Sequence, residues 1–339
     1  MIRTVRVAAV QAAPIYPLSR TATTEKVCSL IAKAAGEGAQ FIAFPETFIP
    51  AYPNFSVNLD LPNEWRDHLA LLHEESIKLN DEAMKMICSA VSRAGVTVCL
   101  GINESSEEYE GQLYNSLIFI GPTGEIFGHH QKLLPSNRER CFWCRGDGTT
   151  LRVYDSMVGR LGGLICYEHL QPLFKYALMA QGEQIHCASW PGWPSFKNGR
   201  SNRQVIDVSN RMYALEGQCF VVAASMYVPE EVGLKSGLSG ANWSFFGGSG
   251  IINPSGEYLA GPVYDEENIL YADLDFRQIL LRKVAIDTTG RDHRWDVLRL
   301  DYRPFSYSPF VDPTTTKSPK FGSRQYSIKG PQEDEGEGG

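Results

Sequence analysis

The sequence predicts an α/β sandwich built from two similar halves. Short apolar runs of strand length alternate with longer amphipathic segments, and each half closes on a hairpin with its own turn signal. No linker interrupts residues 1–300, which read as one domain. The halves share this order of elements rather than a repeated sequence.

The first half opens with "TVRVAAVQAA" as a strand. "RTATTEKVCSLIAKAAGEGAQ" follows as a helix, with Thr and Glu near its start and Gly36 and Gly38 near its end. "FIAFPETF" is a second strand running into a loop, "DEAMKMICSAVSRAG" a second helix and "VTVCLGINE" a third strand. "QLYNSLIFIGPTGEIFGHHQKL" is the hairpin, turning at "GPTG". In the second half "GRLGGLICYE" is a strand, "QPLFKYALMAQG" a helix and "EQIHCASWPG" a strand. After a long polar stretch come the helix "VIDVSNRMYALEGQ" and the buried strand "CFVVAASM". "GGSGIINPSGEYLAGPV" closes this half as a hairpin turning at "NPSG", and "NILYADLDFRQILLRKVAI" runs from strand into helix. Residues 301–339 change character, and the end "GPQEDEGEGG" lacks apolar residues to pack, which predicts disorder.

A net charge of −7 argues against nucleic acid or an anionic membrane as the main partner. No apolar run reaches the roughly 18 residues a membrane helix needs. The apolar stretch Val7–Val10 is too short for a signal-peptide core, so a first strand in a cytoplasmic protein is expected. The eight cysteines sit mostly inside apolar runs, where a free thiol behaves as a small hydrophobe, and no disulfide framework is expected.

Three polar residues stand at strand ends: Glu46, Lys132 and Cys166. Loops at strand ends form pockets on a rigid scaffold. A cysteine acts as a nucleophile through its thiolate, a carboxylate can take its proton, and a lysine can stabilise developing negative charge. Converging, the three could run covalent acyl or imidoyl chemistry. Each alone has a plainer explanation, a structural cysteine or a solvated surface charge.

"VAAVQAAP", "FPETFIPAYP", "GEIFGHHQKLLPSNRERCFWCRGDG", "GGLICYEHLQPL" and "ASWPGWP", in order along the chain, resemble the nitrilase superfamily of carbon–nitrogen hydrolases. The resemblance implies a four-layer αββα sandwich and a catalytic triad of Glu46, Lys132 and Cys166. It implies a second glutamate, Glu139, positioning the lysine and the attacking water. It also implies a tight turn that leaves the Cys166 sulfur exposed to the pocket, with the Tyr167 N–H joining Lys132 to hold an anionic intermediate. "CYEHLQPL" matches the true nitrilase pattern at Glu168, His169, Pro172 and Leu173, while Tyr167 replaces the usual tryptophan. Gln131 before Lys132 and Trp295 in "GRDHRWDVLRL" are further departures. Tyr167 borders the nucleophile, so its departure bears on substrate preference.

The implied reaction is hydrolysis of a small organic nitrile to acid and ammonia through a thioimidate and a thioester, with no metal or organic cofactor. An amidase or carbamoylase, a cyanide-converting enzyme and a catalytically silent scaffold are the alternatives. The resemblance also implies a homodimer paired through "HLQPLFKYALMAQG" into eight layers and extended into higher oligomers or spirals, an isologous contact if two-fold. Tyr52, Tyr167, Trp190 and Trp193 are candidate substrate contacts.

Other motifs have plainer explanations. "CFWC" (Cys141, Cys144) lacks the second ligand pair a zinc site needs. His129 and His130 read as a polar pair at a strand end, with His130 helping to shape the site. His169 stands three residues after Cys166 and invites a Cys–His dyad, a role the resemblance does not assign. Glu168 reads as a support rather than a reacting group. "GGSG" precedes a strand and lacks the Lys-Ser/Thr of a phosphate loop, so a strand start or bulge is expected.

Overall fold

The computed structural model describes residues 3–53, 64–192, 202–229, 231–232 and 245–304. Strands β1 (Thr4–Gln11), β2 (Phe41–Ala43), β3 (Thr97–Ser105), β4 (Leu113–Ile120), β5 (Ile126–Gln131) and β13 (Asn268–Asp275) form one sheet in the order β13-β1-β2-β3-β4-β5. The second sheet contains β6 (Tyr154–Ser156), β7 (Gly159–Ile165), β8 (Ile185–Trp190), β9 (Phe220–Ser225), β10 (Tyr227–Val228), β11 (Phe245–Ile252) and β12 (Tyr258–Tyr264). Its path runs β6-β7-β8-β9-β11, with β10 and β12 both paired to β11.

The two sheets repeat one pattern. Each has a parallel trio, β1-β2-β3 or β7-β8-β9, with an antiparallel strand on one flank and an antiparallel hairpin on the other. Parallel neighbours need crossovers, and helices supply them. Helix α1 (Arg20–Gly36) joins β1 to β2, while α2 (Glu64–Glu75) and α3 (Glu82–Ala94) lie between β2 and β3. Helix α4 (Pro172–Ala180) joins β7 to β8 and α5 (Asn202–Gly217) joins β8 to β9. Helix α6 (Arg277–Ala285) follows β13.

Residue alternation on β1 explains the layering. Val5, Val7 and Ala9 pack with Leu117, Leu164 and Val222 between the sheets. Ala8 and Val10 face the other way, onto Val27 and Ile31 of α1 and Ile87 and Val91 of α3. Strands buried on both faces must read as continuous apolar runs, and these do. Ser19 and Asp81 begin α1 and α3 by accepting the Ala22 and Met84 N–H groups, and Gly95 ends α3 at φ 64°.

The α/β sandwich, its helices and both hairpins agree with the sequence prediction. Helix α2 and edge strand β6 have no counterpart in it, and β13, late in the chain, belongs to the first half's sheet. "GGSG" lies within β11, where Gly247 and Gly248 take positive φ and the register to β12 shifts. Among the described residues no helix is long and apolar enough to cross a membrane. All eight cysteines are free thiols. The acidic end lies outside the described residues.

Candidate active site

Glu46 follows β2 on a turn whose next residue, Thr47, has φ 45°. That turn presses against β3 so closely that a Cβ on Gly101 would lie 2.2 Å from the Pro45 carbonyl oxygen, a space only glycine leaves. The Glu46 N–H donates to the Trp190 carbonyl (3.4 Å) and the Ser189 hydroxyl to the Phe44 carbonyl (3.2 Å), tying the end of β8 to the end of β2. Lys132 follows β5 directly, its N–H donating to the Asn115 carbonyl (2.8 Å).

Cys166 follows β7 directly and starts a single 3₁₀ turn, Cys166–Leu170, at φ 52°. A non-glycine residue held there carries backbone strain of order 1–3 kcal/mol, which the surrounding packing must overcome. Leu161, Leu164 and Ile165 of the same strand are fully buried, each contributing about 1.5–3 kcal/mol.

Lys132 Nζ donates to Glu46 Oε1 (2.9 Å) and to Glu139 Oε2 (2.8 Å), and all three side chains are buried. Asn115 donates to Glu46 Oε1 (2.6 Å), while Glu46 Oε2 has no hydrogen-bond partner among the described residues. Tyr52 donates its hydroxyl to Glu139 Oε1 (2.9 Å), and the Ser136 N–H donates to Oε2 (2.6 Å). Burial pushes Glu46 up to about 7, Lys132 opposing and Glu139 adding to the rise. Burial works against the Lys132 charge, but Glu139 and Glu46 hold it well above the ordinary lysine value. Burial and then Glu46 push the Cys166 thiol well above its ordinary value, while Lys132 and the Tyr167 N–H pull it down. The resting state is therefore a thiol beside a lysinium, with a carboxylate poised to titrate near neutrality.

Glu168 joins two strand ends. It accepts the Leu133 N–H (2.9 Å), next to Lys132, and the Ile165 N–H (2.9 Å), next to Cys166. His130 Nε2 contacts Glu168 Oε2, the oxygen that also accepts from Ile165, at 2.9 Å. Burial opposes the Glu168 charge, yet His130 and the two amides hold its carboxyl below the ordinary value.

The structure thus brings Glu46, Lys132, Cys166 and Glu139 together, with Tyr52 bonded to Glu139. Tyr167 lines a cleft of about 240 Å³ with Ser136, Asn137, Arg140, Gln171 and Phe174. Two placements differ from the sequence prediction. Cys166 is fully buried instead of exposed to the pocket, because its turn tucks it in among Glu46, Lys132 and Glu139. Trp190 stacks on His169 (4.8 Å, 23°) and donates its indole N–H to Asn210 (2.9 Å), so its ring braces the strand end rather than walling the cleft. Trp193 lies outside the described residues.

His169 Nδ1 contacts the Cys166 carbonyl at 2.7 Å rather than the thiol, which leaves no dyad. His129 pairs with Glu104 at 2.7 Å. In "CFWC" it is Trp143 that meets the site. Its ring lies beneath Lys132 Nζ (5.7 Å) and edge-on to Tyr52, and its N–H donates to Asn103 (2.9 Å). Among the described residues no group of three or more His, Cys, Asp or Glu could hold a metal ion. Asn115 and Asn103 escape the sequence prediction. Their one signal is an amide inside an apolar strand, where it must find a partner.

Fold and site together define a class: an αββα protein in which a cysteine, a lysine and two carboxylates meet in one buried cluster. The carbon-nitrogen hydrolase family matches residues 6–281, and the chain belongs to this family. A nitrilase of Pseudomonas syringae pv. syringae (strain B728a) is 40% identical over 306 residues, covering 88% of this chain and 90% of that protein. An aliphatic nitrilase of Rhodococcus rhodochrous is 36% identical over 313 residues, covering 90% of this chain and 81% of that protein. The solved structure of a carbon-nitrogen hydrolase from Helicobacter pylori G27 superposes with a TM-score of 0.68 at 20% identity, covering 87% of this chain and 97% of that one. It shares the fold.

Proposed function

We propose that this protein is a nitrilase converting a small organic nitrile and two waters into a carboxylic acid and ammonia. The observation that carries the reading is the Cys166 thiol beside a Glu46 carboxylate, one of whose oxygens has no partner among the described residues. Similarity to nitrilases over most of the chain supports the nitrile as substrate.

Glu46 takes the thiol proton as sulfur adds to the nitrile carbon and hands that proton to the nitrogen, which gives a neutral thioimidate and restores the Glu46 carboxylate. A thiol this reluctant to ionise needs proton transfer concerted with attack, which suits a base titrating near 7. Water, deprotonated by Glu46, adds to the same carbon. Lys132 and the Tyr167 N–H hold the tetrahedral centre. Loss of ammonia leaves a thioester, and a second water releases the acid and restores the thiol. If the thiol leaves first, the product is the amide. Glu139, fixed by Tyr52 and Ser136, holds Lys132 in place and lies close to the attacking water. Tyr167 contacts the substrate from the cleft.

Residues 1–300 act as one domain, with 301–339 an extension. The protein is cytoplasmic and pairs through α4 and its neighbours. Leu170 just before α4, Leu173 on α4, and Val208 and Met212 on α5 are exposed apolar side chains that support such a contact. Elution at 37.7 kDa in size-exclusion chromatography would sink the pairing.

The functional test is chromatographic analysis of acid and amide from a panel of nitriles and their matching amides, with Cys166→Ala as control. Acid from nitriles, absent in the variant, is the expected result. Turnover confined to amides would move the protein to the amidase reading and make Tyr167 the decisive departure.

A further inference from the structure

Behind the nucleophile lies a second buried cluster that the proposed chemistry does not use. Tyr213 on α5 donates its hydroxyl to Glu183 Oε2 (2.6 Å). Glu183 Oε1 contacts His186 Nδ1 (2.8 Å), His186 Nε2 contacts His169 Nε2 (2.9 Å), and His169 Nδ1 contacts the Cys166 carbonyl (2.7 Å). All four side chains are buried. Gly162 of β7 leaves the room, since a Cβ there would lie 2.1 Å from Glu183 Oε1.

The proton positions in this chain follow from one end. A carbonyl oxygen only accepts, so His169 Nδ1 carries a hydrogen. A neutral His169 then accepts at Nε2, so His186 donates from its Nε2. A neutral His186 accepts at Nδ1, so Glu183 Oε1 must supply a hydrogen, while Oε2 accepts from Tyr213. Every buried donor and acceptor in the chain is then matched. An ionised Glu183 beside neutral imidazoles would set acceptor against acceptor somewhere along it.

We propose that Glu183 is a positioning residue for the nucleophile: as a neutral acid it starts a one-way relay through His186 and His169 that anchors the Cys166 carbonyl and fixes the strained turn. The surroundings favour neutral members. Burial raises Glu183 to about 8 and holds both imidazoles well below the ordinary histidine value. The charged and titratable groups that act on the relay from neighbouring elements are Tyr213, Cys219 and Cys187 around Glu183, and Lys175, Glu168 and His130 around the histidines. The inference rests on Cys166 being the nucleophile.

The test pairs two readouts on the full chain. Nitrogen-15 NMR of labelled histidines near pH 7 is expected to show His169 neutral with its proton on Nδ1 and His186 neutral with its proton on Nε2. Alkylation of Cys166 by iodoacetamide, followed by mass spectrometry, is expected to slow about 10- to 100-fold in Glu183→Leu. Glu183→Gln, whose amide donates to His186 and whose oxygen accepts from Tyr213, restores the rate to within about three-fold. An imidazolium at His186, or equal loss in the Gln and Leu variants, or no loss in either, would overturn the relay. If the wild-type protein hydrolysed no nitrile, the functional reading would fall while the tautomers would still decide the relay.

Discussion

Two fully buried polar clusters flank Cys166, and they are opposites. In front, Glu46, Lys132 and Glu139 form a charged cluster in which one cation holds two carboxylates. Behind, Glu183, His186 and His169 form the proposed neutral chain, with no lysine or arginine bonded to the acid among the described residues. Burial penalises charge in both places. The partners differ: a lysine lies 2.8–2.9 Å from each front carboxylate, while an imidazole nitrogen faces Glu183 at 2.8 Å. The charged cluster suits chemistry that moves protons, and the neutral chain suits a fixed scaffold.

The sharpest way to break this contrast is to remove the cation. Lys132→Met leaves two buried carboxylates without a counter-charge. It is expected to abolish turnover and to destabilise the fold by about 3–5 kcal/mol in denaturant melts. Undiminished stability would mean that the carboxylates had already taken up protons.

A smaller effect is expected at the tie between strand ends. Glu168→Ala removes the acceptor shared by the Leu133 and Ile165 amides. Turnover is expected to fall on the order of 10²-fold with KM little changed, through misplacement of Lys132 and Cys166. A rise in KM alone would place Glu168 at the substrate instead.

The pH profile sharpens the comparison further. In the proposed mechanism Glu46 is the base and works only when ionised, so kcat/KM is expected to fall as pH drops through about 7. Asn115 lowers the Glu46 value by its hydrogen bond, so Asn115→Leu is expected to move that acid limb to higher pH. An acid limb that stays put would remove Glu46 as its origin.

The rear chain carries a pH signature of its own. Glu183 titrates near 8 in the folded protein against an ordinary 4.5, so the folded state holds the proton more tightly. The stability this adds is fully present below about 4.5 and is lost as pH rises through about 8. Glu183→Gln is expected to remove that part of the slope, read as the difference between the two proteins' melts across the window. Parallel curves would count against a neutral acid.

Local pattern made much of the site legible. Glu46, Lys132 and Cys166 stand out because a polar group ends an apolar run, and such ends meet in an α/β fold. Glu139 was legible only through the resemblance, since nothing local separates it from the arginines beside it. Trp190 misleads from sequence, because an aromatic at a strand end suits a cleft wall and a brace equally well. The Glu168 tie and the rear chain were not legible as contacts: Glu168 reaches Leu133 across the sandwich, and His169 meets His186 only because β7 and β8 run side by side.

By itself the sequence determined the alternation of strands and helices, the two hairpins and the polar residues that end apolar runs at Glu46, Lys132 and Cys166, because periodicity and residue chemistry are local properties. Tertiary structure alone decided that β13 completes the first sheet and that Asn115 and Tyr52 hold the two carboxylates. It also decided which buried acids face a lysine and which faces an imidazole. Those outcomes depend on which groups distant in sequence come within hydrogen-bonding distance in a medium that penalises every unpartnered charge.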